Sequence, residues 1–592
     1  MEYDVIVVGS GAAGFSSADW LYKSGVKNVL IIAENTLYGT SRNTGSDKQT
    51  YYKLSLDGLT PDCAYNMAKD IASGGACDGE LAYTEAINSA RCFYRLVEYG
   101  VPFPVDEFGG YAGYKTDHDN TKRATSMGPY TSKLMTECLE RKVIANGTEI
   151  LNHHLVIKIL TKHNNAYGVL ALDKKAEKIV KILAKKVIVA TGAPACVYKS
   201  SVFPQSQHGM SGVLIEAGAT LTNFSEWQYG MASTKFRWNV SGSYMQVLPR
   251  VVSVDKNGAE NEFLLDYYTT PASAYDNLFL KGYQWPFDVN KRDGSSRIDI
   301  LVQEECNKGN AVYLDYTRNP KGYNFDDLSA ETRDYLTKSG ATVGTPIERL
   351  QVLNPAAISL YMDKKIDISR EYLAIAVCAQ HNNGGFSVDN NYMTSIDNLY
   401  AVGEVAGVFG ITRQGGTALN STQVGGLMAS RHIANTIADA VIESGCLEEA
   451  MHAKHLFDNF QQGSRADVIA ITSEMSAVAS FYRDRKEILQ LITTIDDLLN
   501  KGFTSTNVVE YFRDRDMLIS AKALLHSIVG TMDKTGSRGS AMYVVDGKMS
   551  PEVTAMRSYK AVTTGDYVTF VKINEVPKHE VWFEKLLAQR SK

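Results

Sequence analysis

The first fourteen residues constrain this chain most, because a strand signal runs directly into a glycine-rich turn. The apolar run Tyr3–Val8 predicts a short buried strand, and Gly9–Gly14, with the sequence GSGAAG, follows it ahead of a helical stretch. Gly9 permits a tight strand-to-helix turn, Gly11 lets backbone approach a pyrophosphate, and Gly14 lets helix and strand pack closely. The diphosphate of a dinucleotide can then lie at the helix N-terminus.

A second strand and an acidic residue complete this pattern. Asn28–Ile32 is apolar, and Glu34 follows it at the place where a ribose-binding carboxylate commonly lies. A lone glycine-rich turn occurs in other α/β proteins as well, but here strand, helix, strand and acid come together. The residues predicted to bind a dinucleotide are Gly9, Gly11, Ala12, Ala13, Gly14 and Glu34.

The composition predicts a globular protein with more than one domain. At 592 residues the chain is too long for a single core, and two to four domains are expected. The net charge of −5 and the lack of a basic block argue against a nucleic-acid partner. No apolar run approaches the roughly twenty residues of a membrane span, and no secretory signal precedes the first strand. A soluble, cytoplasmic protein without a membrane span is therefore expected.

The eight cysteines lie far apart along the chain. They form no CxxC pair and none of the clustered spacings that hold zinc or an iron–sulfur cluster. We therefore expect no metal on this chain, a reducing compartment, and cysteines that act as small core residues.

Two later segments repeat the pattern of a strand that ends in small residues. Lys186–Ala193 predicts a buried strand ending in the sequence ATGA, and His208–Gly212 then opens a helix. Asn398–Glu404 is again a strand followed by glycine and an acid, and Gly415–Asn420 precedes a long helical pattern, Thr422–Ile437. The residues predicted to bind the ligand here are Ala190, Thr191, Gly192, Gly403, Glu404, Gly416, Ala418 and Leu419.

Together these segments resemble the FAD-binding region of the succinate dehydrogenase and fumarate reductase flavoprotein superfamily, which includes L-aspartate oxidase, urocanate reductase and ketosteroid dehydrogenases. The resemblance is carried by the GSGAAG turn, the ATGA strand end, the segment Leu399–Ala406 (LYAVGEVA), the turn Arg413–Gly416 and the turn Ser537–Ser540. It implies an α/β fold: a Rossmann-like FAD-binding domain, an inserted α+β capping domain and a mainly helical C-terminal region. FAD is the implied cofactor.

The resemblance also suggests how the chain divides into domains. From about Asn223 to Tyr372 the composition shifts to aromatic residues, glycine and asparagine, which marks the insertion. The FAD-binding domain is predicted in two segments, 1–222 and 373–440, which flank the capping domain at 223–372. The mainly helical C-terminal domain is predicted at 441–592.

The segment Gly39–Ser46 occupies the place where membrane-bound members tether FAD through a histidine. This chain has no histidine there, so the resemblance implies non-covalent FAD. The residues expected to contact phosphate or flavin are Ser41, Asn43, Thr44 and Gly45.

Two residues are candidates for holding the substrate. Arg413 precedes a glycine turn, which would direct a guanidinium from a rigid backbone over the flavin, and the matching arginine of fumarate-type members binds a substrate carboxylate. His381 is followed by Asn382–Gly385 and resembles a family histidine that hydrogen-bonds substrate. A surface arginine and a structural histidine are the alternatives.

The cap departs from the family pattern at two places. Gln228–Ala232 lacks the histidine of the respiratory members, and Gly294–Asp299 has serine where their proton-donating arginine belongs, so Arg297 would serve only after a register shift. Tyr229 and Tyr244 are alternative acids or bases, although aromatic packing within the cap is the favoured explanation of each. A simple dicarboxylate such as fumarate is therefore not the expected substrate.

The first functional hypothesis is an FAD-dependent oxidoreductase that reduces or dehydrogenates a carbon–carbon bond next to an activating group, by hydride transfer at flavin N5. The alternatives are a flavin oxidase of an amine or alcohol carbon, similar to aspartate oxidase, and a non-catalytic FAD-binding or RNA-modifying flavoprotein. The sequence shows no second dinucleotide fold, FMN site or haem motif. A small-molecule substrate and a separate electron-donor protein are therefore expected.

Overall fold

The computed structural model of the chain describes residues 1–116, 119, 121–442, 447–578 and 582–590. Cys446, one of the eight cysteines of the sequence, lies outside the described residues. The other seven are free thiols. Within the described ranges, no helix is both long enough and apolar enough to cross a membrane.

Strands and helices alternate through the first half of the chain, and helices dominate after the middle. In chain order, the strands of the described residues are β1 (Glu2–Val8), β2 (Val29–Ile32), β3 (Thr50–Tyr52), β4 (Ala124–Ser126), β5 (Glu149–Leu151), β6 (His154–Lys162), β7 (Asn165–Asp173), β8 (Lys178–Val189), β9 (Leu221–Thr222), β10 (Trp227–Ser233), β11 (Trp238–Asn239), β12 (Arg250–Val254), β13 (Glu260–Asn261), β14 (Ala311–Asp315), β15 (Leu373–Asn382), β16 (Gly385–Phe386), β17 (Leu399–Ala401), β18 (Gln461–Gln462), β19 (Tyr482–Asp484), β20 (Thr504–Ser505), β21 (Met542–Val545), β22 (Lys548–Met549), β23 (Tyr559–Thr564) and β24 (Tyr567–Lys572). The α-helices of the same residues are α1 (Ala12–Lys23), α2 (Thr40–Asn43), α3 (Ala64–Ala72), α4 (Gly79–Glu98), α5 (Thr131–Ala145), α6 (Ser211–Glu216), α7 (Ser243–Gln246), α8 (Leu264–Tyr267), α9 (Pro271–Tyr283), α10 (Arg297–Asn307), α11 (Ala330–Lys338), α12 (Pro346–Leu353), α13 (Pro355–Asp363), α14 (Thr417–Thr436), α15 (Leu447–Asp458), α16 (Ala466–Val478), α17 (Arg485–Lys501), α18 (Val508–Thr535) and α19 (Phe583–Arg590). Short 3₁₀ helices cover Ala195–Val197, Val289–Lys291, Phe325–Asp327 and Thr554–Ser558.

The nucleotide-binding sheet is built on the strands that the sequence predicts. Strands lie in the order β5-β2-β1-β8-β7-β6, and β17 pairs with the end of β8. Strands β5, β2, β1, β8 and β17 run parallel, whereas β7 and β6 add an antiparallel edge. Strand β2 is fully buried, as expected for a parallel strand with helices on both faces. The carboxyl ends of β1, β2, β8 and β17 therefore meet at one edge of the sheet.

The glycine turn after β1 is closed by direct backbone contact. Gly9 has a φ of +113°, and a Cβ on it would lie 2.4 Å from the carbonyl oxygen of Ala190. A Cβ on Gly14 would lie only 2.0 Å from the carbonyl oxygen of Gly9. Only glycine therefore lets α1 pack this tightly against β1, which fixes the N-terminus of α1 at the edge of the sheet.

The insertion forms a second, antiparallel sheet. Its strands lie in the order β11-β10-β15-β14-β12-β13, and helices α7 to α13 lie between its strands along the chain. Strand β15 begins at Leu373, directly after the predicted domain boundary at 372, and it pairs with both β10 and β14. Residues 373–382 thus belong to the cap sheet in space. The predicted division of the remaining chain stays a prediction.

The C-terminal region ties the cap to the rest of the molecule. Arg538 and Glu226, both nearly fully buried, form an ion pair of 2.7 Å next to β10. The guanidinium Nη2 of Arg483 donates a hydrogen bond of 3.1 Å to the hydroxyl of Tyr229 on β10. After the helices, β23 pairs with β9 in a small sheet that also contains β16 and β24.

Replacing Gly14 by alanine is expected to destabilise the nucleotide-binding domain. The added methyl group would meet a backbone carbonyl that has no freedom to move, and such overpacking typically costs about 1–3 kcal/mol. Gly294→Ala is the control, because its Cβ would meet nothing closer than 3.6 Å. Thermal unfolding should show a lower midpoint for G14A than for G294A. Equal midpoints for the two variants would contradict the role assigned to the contact between Gly14 and Gly9.

Candidate functional site

A cavity of about 1630 Å³ opens between the nucleotide-binding sheet and the cap. On the sheet side it is lined by the ends of β1, β2, β8 and β17 and by the N-termini of α1 and α14. On the cap side it is lined by residues of α9, α11 and β15 and by the loop that follows α9. The cavity therefore brings together segments of the chain that are far apart in sequence.

Most residues that the sequence predicts for dinucleotide binding line this cavity. They are Gly9, Gly11, Ala13, Glu34, Ser41, Thr44, Gly45, Ala190, Thr191, Gly192, Glu404, Gly416, Ala418 and Leu419. Their roles in binding stay predictions, but their side chains and backbone share one surface.

Four predicted binding residues lie behind the cavity wall and support it. Gly14 packs on the carbonyl of Gly9, and a Cβ on Gly403 would lie 2.8 Å from the Cβ of Ala13. The backbone N–H of Ala12 donates to the hydroxyl of Ser41 at 3.1 Å. Asn43 donates from Nδ2 to two carbonyls of its own loop, at 2.9 Å each. Gly14, Gly403, Ala12 and Asn43 are thus not among the residues that line the cavity, and their part in cofactor binding stays a prediction.

The polar groups at the sheet end of the cavity fit the diphosphate and ribose of FAD. Helices α1 and α14 both follow a glycine N-cap, Gly11 and Gly416, that provides no side-chain cap, and Ala13 and Ala418 in their first turns line the cavity, where a helix N-terminus favours an anion. The hydroxyl of Thr191, at the end of β8, is buried without a hydrogen-bond partner among the described residues. A bound dinucleotide would satisfy such groups.

Glu34, the predicted ribose-binding carboxylate, is also part of an ion network. Its Oε2 lies 3.0 Å from the ammonium of Lys174 and also pairs with Arg513 of α18. Burial alone would raise the pKa of Glu34, but the charges of Arg513 and Lys174 outweigh it and hold the pKa below its ordinary value. The carboxylate is therefore ionised and can accept hydrogen bonds from ribose hydroxyls.

Arg413 and His381 both lie in the wall of the cavity. Arg413, 7% exposed, donates from Nη2 to the amide oxygen of Gln228 at 2.8 Å. His381 forms a hydrogen bond of 3.1 Å at Nδ1 with the side chain of Asn383, and its Nε2 lies 3.7 Å from Glu404. Arg413, His381 and Glu404 all line the cavity. The sequence-predicted pair is thus assembled from two separate segments.

Burial sets the protonation of this cluster. It lowers the pKa of His381 well below its ordinary value, and the nearby charge of Arg413 lowers it further. It also raises the pKa of Glu404 to about 8, although the backbone N–H of Asn382 and the charge of Arg413 oppose the shift. At neutral pH both groups are therefore uncharged, and Arg413 carries the positive charge of the cluster.

Three side chains that the sequence analysis assigns to the substrate lie outside the cavity. Tyr229 is fully buried against Tyr198, with 2.8 Å between the two hydroxyls. Tyr244 donates its hydroxyl to the carbonyl of Ala357 at 3.0 Å. Arg297 begins α10, and its guanidinium carbon lies 4.3 Å from the ring centroid of Tyr267. The packing of Tyr229 and Tyr244 matches the explanation that the sequence favours for them, and a role of Tyr229, Tyr244 or Arg297 toward the substrate stays a prediction.

Other side chains that the sequence analysis did not select face the cavity. Lys291 and Trp285 come from the loop between α9 and α10, Gln380 precedes His381, and Thr116 packs beside Gly415. None of them belongs to a recognisable motif. Only the three-dimensional arrangement identifies them.

Comparisons with known proteins agree with this arrangement. The model of the family described as FAD binding domain matches residues 4–419. An uncharacterized FAD-dependent oxidoreductase of Methanocaldococcus jannaschii is 23% identical over 556 residues, which cover 91% of this chain and 93% of that protein. One subunit of the fumarate reductase (CoM/CoB) of Methanothermobacter marburgensis is 23% identical over 558 residues, with coverage of 90% and 93%. A quinol-fumarate reductase chain, solved with menaquinol, shares the fold with a TM-score of 0.75 at 18% identity, over 98% of this chain and 99% of that chain.

Ionisation of Glu404 is expected to weaken the binding of an anionic ligand at Arg413. As the pH rises through about 8, Glu404 becomes negative and competes for the guanidinium. The dissociation constant of a small carboxylate such as crotonate, measured by calorimetry, should rise about tenfold between about pH 7 and about pH 9.5. Glu404→Gln should remove this dependence.

Glu85→Gln is the matched control for this measurement. Burial raises the pKa of Glu85 to about 7, but Glu85 lies away from the cavity and is hydrogen-bonded to Asn420. The E85Q variant should keep the pH dependence of the unmodified protein. A pH dependence that persists in E404Q would contradict the assignment to Glu404.

Proposed function

This chain belongs to the FAD binding domain family, and we propose that it is an FAD-dependent oxidoreductase that adds or removes two hydrogens across a carbon–carbon bond next to an activating group. The predicted membership in the succinate dehydrogenase and fumarate reductase flavoprotein superfamily, with FAD as cofactor, is confirmed. The reaction itself is the proposal. The observation that carries it is the cluster of Arg413, His381 and Glu404 in the same cavity as the dinucleotide-binding residues.

The residues proposed to hold FAD are those at the sheet end of the cavity. The N-termini of α1 and α14 would face its anionic and polar groups, and Glu34 would accept hydrogen bonds from ribose. When bound, FAD supplies two-electron chemistry by exchanging a hydride with a substrate carbon. The lack of a histidine in Gly39–Ser46 supports non-covalent binding.

Arg413 would bind the carboxylate of the substrate. Its guanidinium is held by the amide oxygen of Gln228, and its Nη1 also lies 3.2 Å from the carbonyl of Gln414. A guanidinium fixed in this way presents a fork that matches the two oxygens of a carboxylate. The charge also polarises a neighbouring double bond, because it draws electron density toward the carboxylate.

His381 would orient the substrate as a neutral hydrogen-bonding group. Because burial and the charge of Arg413 keep its pKa low, the ring does not carry the second proton at neutral pH. Its Nδ1 is engaged with Asn383, and its Nε2 has no hydrogen-bond partner within the described part of the chain. We therefore assign the contact of His381 with the substrate to Nε2, which is buried beside Glu404.

Lys291 is the side chain that we assign to the proton step. The described lysines that line the cavity are Lys48, Lys115, Lys291 and Lys338, and of these only Lys291 is partly buried. It lies at the end of a 3₁₀ helix in the loop of the cap. In the reducing direction one carbon of the double bond receives a hydride and its neighbour receives a proton from Lys291, which yields the saturated product.

The electrons for this reaction must come from outside the chain. We propose a separate reduced carrier or a partner protein, as expected from the sequence. The fumarate reductase relative, whose name describes it as one subunit of that enzyme, supports this proposal. A cytoplasmic location is likewise a prediction of the sequence.

The proposed reaction can be tested on the purified protein. It should be yellow, release FAD on acid denaturation, and, after photoreduction without oxygen, be reoxidised by an α,β-unsaturated carboxylate. Arg413→Gln should lower the rate of this reoxidation at least about a hundredfold while the flavin absorbance stays unchanged, because a buried charge-assisted contact is lost. Reoxidation by oxygen alone, with stoichiometric peroxide from an amine or alcohol, would instead indicate the oxidase alternative.

Lys291→Met is expected to separate the proton step from substrate binding. The variant should keep FAD and bind a saturated carboxylate normally, but reduce the double bond about a hundredfold more slowly. Arg297→Met is the matched control, since Arg297 lies in the same loop and helix region but outside the cavity. Loss of activity in R297M together with retained activity in K291M would contradict the assignment of the proton step to Lys291.

A further inference from the structure

A second cavity, of about 570 Å³, lies where helices α1, α4 and α14 meet. It shares no lining residue with the cavity described above. Its wall carries four cations, Lys23, Arg91, Arg95 and Arg431, and one carboxylate, Glu98. The cations come from three separate segments, so the sequence shows no basic block. A cavity of this size is typical of a pocket for a small molecule.

Three of these cations surround one aromatic ring. The guanidinium carbons of Arg95 and Arg91 lie 4.3 and 5.0 Å from the ring centroid of Trp20, and Nζ of Lys23 lies 5.5 Å from the same point. The ring attracts each cation, but the cations repel one another. Arg91 and Arg95 are also four residues apart on α4, a spacing at which like charges destabilise a helix. The cluster therefore opposes the stability of the fold.

The positive charge of the cluster is poorly compensated. Among the described residues, Lys23, Arg91 and Arg431 form no ion pair with a carboxylate. The Nε of Arg95 lies 3.7 Å from the buried carboxylate of Asp19, which is too long for a hydrogen bond. The wall of the cavity thus has a clear excess of positive charge, although the whole chain is acidic.

The crowding of these charges affects the protonation of Lys23. Burial lowers the pKa of Lys23, the charge of Asp19 opposes this shift, and the charges of Arg95 and Lys142 lower the pKa further. A bound anion would relieve the repulsion among the cations. An uncharged or cationic ligand would not.

One cation of the cavity is fixed and the other three are exposed. Arg95, 3% exposed, donates from Nη2 to the hydroxyl of Ser16 on α1 at 3.1 Å and to the amide oxygen of Gln423 on α14 at 3.4 Å. The side chains of Lys23, Arg91 and Arg431 are exposed to solvent and have the freedom to turn toward a ligand. A buried charge with mobile charges around it can bind an anion that has several charged groups.

We propose that this cavity is a binding site for a small soluble molecule that carries two or more phosphate groups. The planar guanidinium groups of Arg91 and Arg431 match the oxygen atoms of a phosphate, and Lys23 adds a third exposed charge. A ligand with one negative charge would balance only part of the excess. The site is separate from the FAD cavity, so this inference does not depend on the proposed reaction.

Pyrophosphate is the probe that tests this inference. It should bind to the FAD-loaded protein, in which the cofactor already occupies the diphosphate-binding turn. Calorimetry should show one pyrophosphate per chain, with an affinity at least about tenfold higher than that of orthophosphate, because more of the cations gain a partner. The affinity should fall as the salt concentration rises.

Arg91→Gln and Arg431→Gln locate the binding site. Each variant should weaken pyrophosphate binding at least about fivefold, since a charge-assisted contact is lost. Arg141→Gln is the matched control: Arg141 is an exposed arginine of α5 that does not line the cavity. R141Q should bind pyrophosphate within about twofold of the unmodified protein. All three positions are exposed, so the variants should fold.

The following results would overturn the inference. One is the absence of pyrophosphate binding, and another is binding that neither R91Q nor R431Q weakens. An equal loss in R141Q would indicate a general effect of surface charge. Binding to vesicles of phosphatidylcholine and phosphatidylglycerol without binding of pyrophosphate would assign the cations to a membrane surface instead. None of these measurements uses turnover, so a failure of the proposed function would leave their result unchanged.

Discussion

Strand β10 is the structural element on which the arrangement of the site depends. Three consecutive residues of this strand contact three different regions of the molecule. Gln228 holds Arg413 from the loop after β17, Tyr229 receives a hydrogen bond from Arg483 of the C-terminal region, and Gly230 receives the indole of Trp285. All three are buried, so the strand cannot shift by one residue without exchanging these contacts. The position of the carboxylate-binding arginine is therefore coupled to the packing of the cap and of the C-terminal helices.

The nucleotide-binding region could be predicted from sequence because its constraints are local. The turn at Gly9–Gly14 and the position of Gly403, just after β17, require particular small residues. Steric contact between backbone atoms imposes these requirements, so the small residues occur in the sequence at a recognisable spacing. The resulting sheet contains the four strands predicted from these patterns, β1, β2, β8 and β17, whereas β5, β6 and β7 of the same sheet were not predicted.

The cap could not be predicted in the same way, because contacts between distant segments decide which of its residues face the cavity. Tyr229 has the residue type of a proton donor, yet its hydroxyl is taken by Tyr198 and Arg483. Arg297 has the right charge, but α10 turns it toward Tyr267. Trp285, in contrast, carries no motif, and the glycine that makes room for it lies on another element. Contacts between residues that are distant in sequence, such as that between Trp285 and Gly230, cannot be predicted from the type of each residue alone.

The electrostatics of the site follow from the same burial that shapes it. Two groups that would often be charged, His381 and Glu404, are neutral at neutral pH because their environment excludes water.

The cap is held over this region by direct contacts to the nucleotide-binding domain: the carboxylate of Asp47 accepts hydrogen bonds of 2.7 Å from both the backbone N–H and the hydroxyl of Ser243. Because Asp47 and Ser243 are themselves almost fully buried, this contact meets little competition from solvent. Loosening it would admit water, restore the ordinary protonation of Glu404 and set a negative charge beside Arg413. The buried contact between Asp47 and Ser243 thus supports both the closure of the cap and the binding of an anion at Arg413.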